Sequence, residues 1–260
     1  MSDFALVTGA TGGLGKEFCR QLIARGDNLF ITGRSEEKLA ILKEELTKIG
    51  AVEILYFPAD ISSETDRKNL FEYADEKGVK FSAVYNVAGV DIQKPFEEYT
   101  EEKLIFQCRV NLEATLSVTR YALSRRTENF KILTVASMSG SVPMPYFAIY
   151  SATKAALINF YTSLRYECKD CKITTLAPGG IPTRADIIED IKVQGLKGKL
   201  SSKPADFVVK KALKGLDKNK RLVIPGAFNK FVYFVEKITP LGIQCRFVAK
   251  NWQNKSKDAF

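Results

Sequence analysis

Short apolar runs alternate along this chain with stretches of helical period. Phe4–Val7, Leu29–Ile31, Val52–Phe57, Phe81–Val87, Ile132–Val135, Ile173–Leu176 and Leu222–Ile224 have the length and composition of buried strands. Between them, Leu14–Ala24, Glu36–Ile49, Glu64–Glu76, Lys103–Leu123, Tyr150–Glu167 and Ala205–Leu216 place apolar residues at helical spacing. Strands that alternate with helices pair in parallel through right-handed crossovers, and the helices cover both faces of the sheet. The pattern therefore predicts one α/β domain over residues 1–226, a Rossmann-type doubly wound sheet of seven parallel strands. Residues 227–260 are predicted to form a basic, amphipathic extension packed on or near that domain. Segment 178–204 is rich in Gly, Pro and Lys and reads as a loop or lid.

Composition narrows the classes. A chain of 260 residues with 45% hydrophobic content can bury a large core. It contains no run of eighteen apolar residues, so no spanning helix is predicted. Met1–Thr8 lacks the basic start and long apolar stretch of a signal peptide, and a cytoplasmic location is expected. Cys168 and Cys171 have C-x-x-C spacing, but no second pair and no histidine exist to complete a metal site. The absence of histidine also excludes Ser-His-Asp chemistry. Residues 192–260 hold 16 Lys/Arg against 4 Asp/Glu, a net of +12, while residues 1–191 carry a net of −3. Such a basic quarter is either a solvated surface or an attractor of anions and anionic membranes.

Tyr150 and Lys154 stand four residues apart and so share one helix face. A nearby ammonium favours phenolate over phenol. Bringing a phenol from about 10 to about 7 takes roughly 4 kcal/mol at 1.36 per unit. The pair can thus make a general acid/base usable at neutral pH, although the same spacing is common on plain helix surfaces. Thr8-Gly9-Ala10-Thr11-Gly12-Gly13-Leu14-Gly15 follows the first strand and opens a helix, the context in which a glycine-rich turn lets backbone approach a pyrophosphate. Arg34, after the second strand, suits a 2′-phosphate and favours NADP(H) over NAD(H). Glu36 and Glu37 are nearby acids, but they suit the first turn of a helix capped by Ser35. Asp60 is placed either to bond an adenine edge or to shape the turn before Ser62.

Together these residues resemble the short-chain dehydrogenase/reductase family over about residues 3–226. Its T-G-x-x-x-G-x-G pattern stands as Thr8, Gly9, Gly13 and Gly15, and its N-N-A-G segment as Asn86-Val87-Ala88-Gly89, with Val87 replacing the second asparagine. Asn111, Ser137 with Gly140, Tyr150 with Lys154, and Pro178-Gly179-Gly180-Ile181-Pro182-Thr183 complete the match in order. The resemblance implies an NAD(P)-dependent oxidoreductase interconverting a carbonyl and a secondary alcohol. Tyr150 would be the proton donor or base, and Lys154 would lower its pKa and hold the nicotinamide ribose. Ser137 would bond the substrate oxygen, and Asn111 would anchor a water in the relay. The implied cofactor contacts are Gly9, Thr11, Gly12, Gly13, Leu14, Gly15, Arg34, Asp60, Ile61, Asn86, Ala88, Gly89, Tyr150, Lys154, Pro178, Gly179, Ile181 and Thr183. The cofactor is expected to be NADP(H), with NAD(H) the alternative. A homodimer or homotetramer built on helices that include the Tyr150 helix is implied as well. No nucleic-acid partner is expected, and the contrasting reading is a non-catalytic nucleotide-binding or membrane-associated protein of the same fold.

Phe228, Phe231, Val232, Val235 and Ile238 fall at helical spacing before Pro240, in a basic context. Such a helix would cover the substrate cleft, pack at a subunit interface, or lie on a membrane surface through residues 227–260. A lid of this kind suits a lipophilic carbonyl such as a steroid or a 3-oxoacyl compound.

Overall fold

The computed structural model describes residues 3–183, 185–193 and 195–253. Its strands are β1 (Asp3–Thr8), β2 (Asn28–Gly33), β3 (Ile54–Pro58), β4 (Lys80–Asn86), β5 (Arg126–Val135), β6 (Lys172–Leu176) and β7 (Leu222–Val223). All pair in parallel, in the order β3-β2-β1-β4-β5-β6-β7. The order reverses between β1 and β4. In doubly wound sheets that reversal leaves a crevice beyond the carboxyl ends of the strands, here beside Thr8 and its register partner Asn86.

Burial on both faces explains the unbroken apolar runs. In β1, Ala5 and Val7 face the helices α1 (Gly13–Ile23), α2 (Glu36–Thr47) and α9 (Ala205–Asp217). Phe4 and Leu6 face α3 (Glu64–Glu76), α5 (Ala114–Ser124) and α6 (Ala148–Glu167). Phe18, Phe30, Phe81 and Phe130 are fully buried, each contributing about 1.5–3 kcal/mol of apolar burial.

The predicted helix Lys103–Leu123 is continuous but not regular. It runs as α4 (Glu101–Cys108), a π-helical turn over Arg109–Glu113, and α5. π-turns insert a residue into the hydrogen-bond ladder and gather at functional sites. This one contains Asn111. Segment 178–204 departs from the loop expectation: it holds two short helices, α7 (Ala185–Val193) and α8 (Gly195–Ser201). Beyond β7 come α10 (Ala227–Ile238) and α11 (Leu241–Trp252), separated at Thr239-Pro240. Gln244 Nε2 donates to the carbonyls of Glu236 (2.7 Å) and Thr239 (2.5 Å), which fixes the corner. The last part of the predicted extension, 254–260, lies outside the described residues.

Candidate active site

β1 ends at Thr8, whose hydroxyl accepts from the backbone N–H of Val87 (3.1 Å) and Ala88 (3.3 Å). This ties the glycine turn to the end of β4. Gly9 sits at φ +64°, and a Cβ there would stand 2.8 Å from Ala88 Cα. A Cβ at Gly15 would overlap the Gly9 carbonyl oxygen, and one at Gly13 would stand 2.5 Å from Thr183 Cβ. Side chains are therefore excluded where the strand turns into α1, and the helix begins with no side-chain cap. Its free N–H groups face a cavity of about 500 Å³ lined by Gly9, Thr11, Gly12, Gly13, Leu14, Gly15, Ala88, Gly89 and Thr183.

The far end of this cavity is lined by Arg34, Lys38, Asp60 and Ile61, and not by Glu36 or Glu37. Ser35 caps α2, its hydroxyl accepting from Lys38 N at 3.3 Å, and both glutamates stand exposed in the first turn. Their role is that of helix-start acids, as the sequence predicts. Asp60 shapes the turn before Ser62 and also borders the cavity. Its carboxylate accepts from Ser62 N (2.9 Å) and Oγ (2.7 Å). The cap of α3 itself is Ser63, one residue later.

A second cavity of about 350 Å³ adjoins the first through Leu14, Val87, Gly89, Val90 and Thr183. Ser137, Tyr150, Lys154, Pro178, Gly179 and Ile181 all line it. α6 carries Tyr150 half-buried and Lys154 buried on one face. Lys154 Nζ donates to the Val135 carbonyl at 3.0 Å and lies 5.6 Å from the Tyr150 ring centroid. Burial brings the Lys154 ammonium down from its usual value to about 8, and the carboxylate of Asp91 works against that shift. Ser137 Oγ accepts from Ser139 N at 3.1 Å, opening the 3-10 turn Met138–Gly140. A hydroxyl that accepts there keeps its own proton to donate into the cavity. A Cβ at Gly140 would stand 2.7 Å from Lys154 C and 2.8 Å from Ala155 N, so the serine turn packs directly on the backbone of α6.

Asn111 is fully buried in the π-turn. Its amide pairs with the backbone of Val90, accepting from N (2.8 Å) and donating to O (2.9 Å), and it donates to Thr153 Oγ1 (3.2 Å). The side chain therefore fixes the Gly89–Val90 loop against α6. Asn86 lies elsewhere than the cavity rim. It is buried beneath the sheet, donating to Thr119 Oγ1 (2.9 Å), Tyr161 OH (3.2 Å) and Thr134 Oγ1 (3.3 Å). Neither cavity is lined by Asn86, because its side chain points to the face covered by α5 and α6.

Several lining residues escape sequence reasoning. Lys38 was legible only once Ser35 was placed as a cap. Ile187 and Ile191 on α7 line the second cavity, and their i,i+4 spacing was a readable signal. Trp252 lines it from the end of α11, in the segment expected to cover the cleft, though no sequence signal singled out this residue. The Phe147 ring stacks on Tyr150 (centroids 4.3 Å, 11° between planes) and on Trp252 (5.6 Å, 14°). Tyr146, just before, holds φ 65°, a left-handed backbone that costs a non-glycine residue about 1–3 kcal/mol. The Cys171 thiol is pushed up to about 12 by burial, which disfavours its thiolate.

A glycine-lined crevice at a topological switch point, beside a Tyr–Lys pair and a serine, defines a dinucleotide-dependent oxidoreductase site. Comparison with known proteins agrees. The family model "short chain dehydrogenase" matches residues 3–190, and the chain belongs to that family. It is therefore an NAD(P)-dependent oxidoreductase acting on small carbonyl or alcohol compounds. It is 26% identical over 238 residues to 11-beta-hydroxysteroid dehydrogenase-like 2 of Arabidopsis thaliana, covering 90% of this chain and 77% of that one. It is 34% identical over 178 residues to a very-long-chain 3-oxoacyl-CoA reductase of Aspergillus clavatus, covering 66% and 51%. Among solved structures, one from a study of 7beta-hydroxysteroid dehydrogenase stereoselectivity superposes with a TM-score of 0.83 at 25% identity, covering 95% and 96%. An angucycline C-6 ketoreductase with bound NADP shares the fold, with a TM-score of 0.75 at 20% identity, covering 85% and 93%.

Proposed function

We propose that this protein is an NADP(H)-dependent reductase or dehydrogenase of a lipophilic ketone or secondary alcohol. The observation that carries the cofactor preference is the cavity end lined by Arg34 and Lys38, with the acids of α2 outside it. Two cations suit a 2′-phosphate. The cradle fits the rest of the dinucleotide, since Gly9, Gly12, Gly13 and Gly15 line it with backbone alone. When bound, the nicotinamide supplies or accepts the hydride.

The chain's own residues handle the proton and the oxygen. Tyr150 donates its hydroxyl proton to the substrate oxygen in reduction and takes it back in oxidation. Lys154, anchored by Val135, stabilises the phenolate left behind. Ser137 donates to the same oxygen and disperses the charge developing on it. Asn111 holds the loop that separates the two cavities, and its π-turn is the natural place for the water of a proton relay.

The lining of the second cavity supports a lipophilic substrate. Val90, Met138, Phe147, Ile181, Ile187, Ile191 and Trp252 contribute apolar surface around the polar trio. A steroid or a 3-oxoacyl compound has the required bulk, and the named activities of the relatives point the same way. Self-association through α6 belongs to this reading, because Phe160 and Tyr166 stand exposed on it.

NADPH and NADH dissociation constants in wild type and in Arg34→Ala/Lys38→Ala test the cofactor assignment. Loss of roughly 1.5–3 kcal/mol, about ten- to a hundredfold, for NADPH alone is expected. An unchanged ratio overturns the preference. A panel of steroid, acyl and small ketones followed by NADPH absorbance tests the substrate class, and exclusive turnover of small polar ketones would reject it.

A further inference from the structure

The C-terminal helices turn large apolar side chains outward. In α10, Phe231, Phe234 and Ile238 are 64%, 62% and 67% exposed, while Asn229 on the opposite face is 1% exposed. In α11, Leu241, Ile243 and Phe247 are 61%, 57% and 59% exposed, while Gln244 is 8% exposed. The inward amide nitrogens are engaged. Asn229 Nδ2 donates to the carbonyls of Ser201 and Pro225, both at 2.8 Å, and Gln244 bonds the corner between the helices. Ser141 Oγ donates to Glu236 Oε2 at 2.7 Å, tying α10 to the chain just after the Ser137 turn. The exposed apolar stripe thus faces away from the cleft, which α11 borders through Trp252 instead. Six large apolar side chains facing outward on two adjoining helices are more than scattered surface residues.

Charge decides what covers them. Lys230, Lys237, Arg246 and Lys250 are exposed on the same two helices. Their one acid, Glu236, is turned inward to Ser141. A second copy of this chain would set like charges against like. A bilayer with anionic headgroups complements both the apolar stripe and the cations. We propose that the exposed face of α10 and α11 docks this protein onto an anionic lipid surface. Trp252, at the end of α11, lines the second cavity, so docking places the cavity wall next to the lipid. The docking stands independently of the catalytic reading.

The test is flotation of the full chain with vesicles of phosphatidylcholine, alone or mixed with phosphatidylglycerol. Wild type is expected to float with the anionic vesicles and to be released by high salt. Phe231→Ser/Phe234→Ser/Ile238→Ser is expected to stay unbound, with unchanged thermal unfolding and unchanged mass in solution. Lys230→Glu/Lys237→Glu, which alters no buried group, is expected to weaken binding by roughly tenfold or more. Wild type that fails to float with anionic vesicles overturns the proposal. So does a triple variant that splits a larger wild-type assembly, since the face would then belong to a second copy.

Discussion

The Lys154 ammonium lies 5.6 Å from the centre of the Tyr150 ring, one helical turn along α6. Its position is fixed from behind by the Val135 carbonyl at the end of β5. Sheet and helix together hold the cation where a phenolate would form.

Tyr150→Phe is expected to lower turnover by about 10²–10⁴-fold, the usual size of a lost general acid. Its NADPH dissociation constant, read by fluorescence, should stay within a few-fold of wild type, because only the hydroxyl is removed. Full turnover on a genuine substrate would reject the mechanism.

Burial of Lys154 has a stability consequence with a definite sign. The group titrates near 8 when folded and near 10.4 when unfolded. Between those values the unfolded chain binds more protons, so stability rises with pH. Below 8 the full cost of burying the charge is present, on the order of 3 kcal/mol. Denaturant melts of wild type and Lys154→Met from pH 7 to 10 should therefore converge or cross, wild type gaining relative to the variant. Parallel curves across that window would show that the lysine is not buried as described.

Gly140→Ala puts a methyl 2.7 Å from the Lys154 backbone carbon, which cannot yield cheaply. The expected result is a loss of about 1–3 kcal/mol, as in other overpacked sites, together with reduced kcat as the Ser137 turn lifts off α6. Urea midpoints and steady-state rates check both. Wild-type values for each would mean that the turn has room to shift.

Trp252→Ala removes one layer of the stack over Phe147 and Tyr150. An aromatic pair contributes about 0.5–1.5 kcal/mol beyond its area. KM for a bulky apolar ketone is expected to rise several-fold, with kcat and the KM of a small ketone little changed. An equal effect on both substrates would assign Trp252 to stability instead.

Much of the molecule was legible in the chain. The seven parallel strands, the glycine turn and the order Asn111, Ser137, Tyr150, Lys154 all rest on local rules: apolar runs, helical spacing, and glycine where backbone must approach backbone. Those features are dictated by near neighbours, so a linear reading reaches them. The loop expectation for segment 178–204 failed because its Gly and Pro content masked two helices of about two turns each.

What the sequence could not decide was direction. Asn86 matches its motif, yet the pleat turns its side chain beneath the sheet to Thr119 and Tyr161. The apolar stripe of α10 has helical spacing whichever way it faces; only packing against Ser141, Pro225 and Ser201 turned its polar side inward. Trp252 reaches Phe147 across more than a hundred residues of chain. Periodicity determines that a helix has two faces, whereas contacts between distant segments determine which of them meets the core.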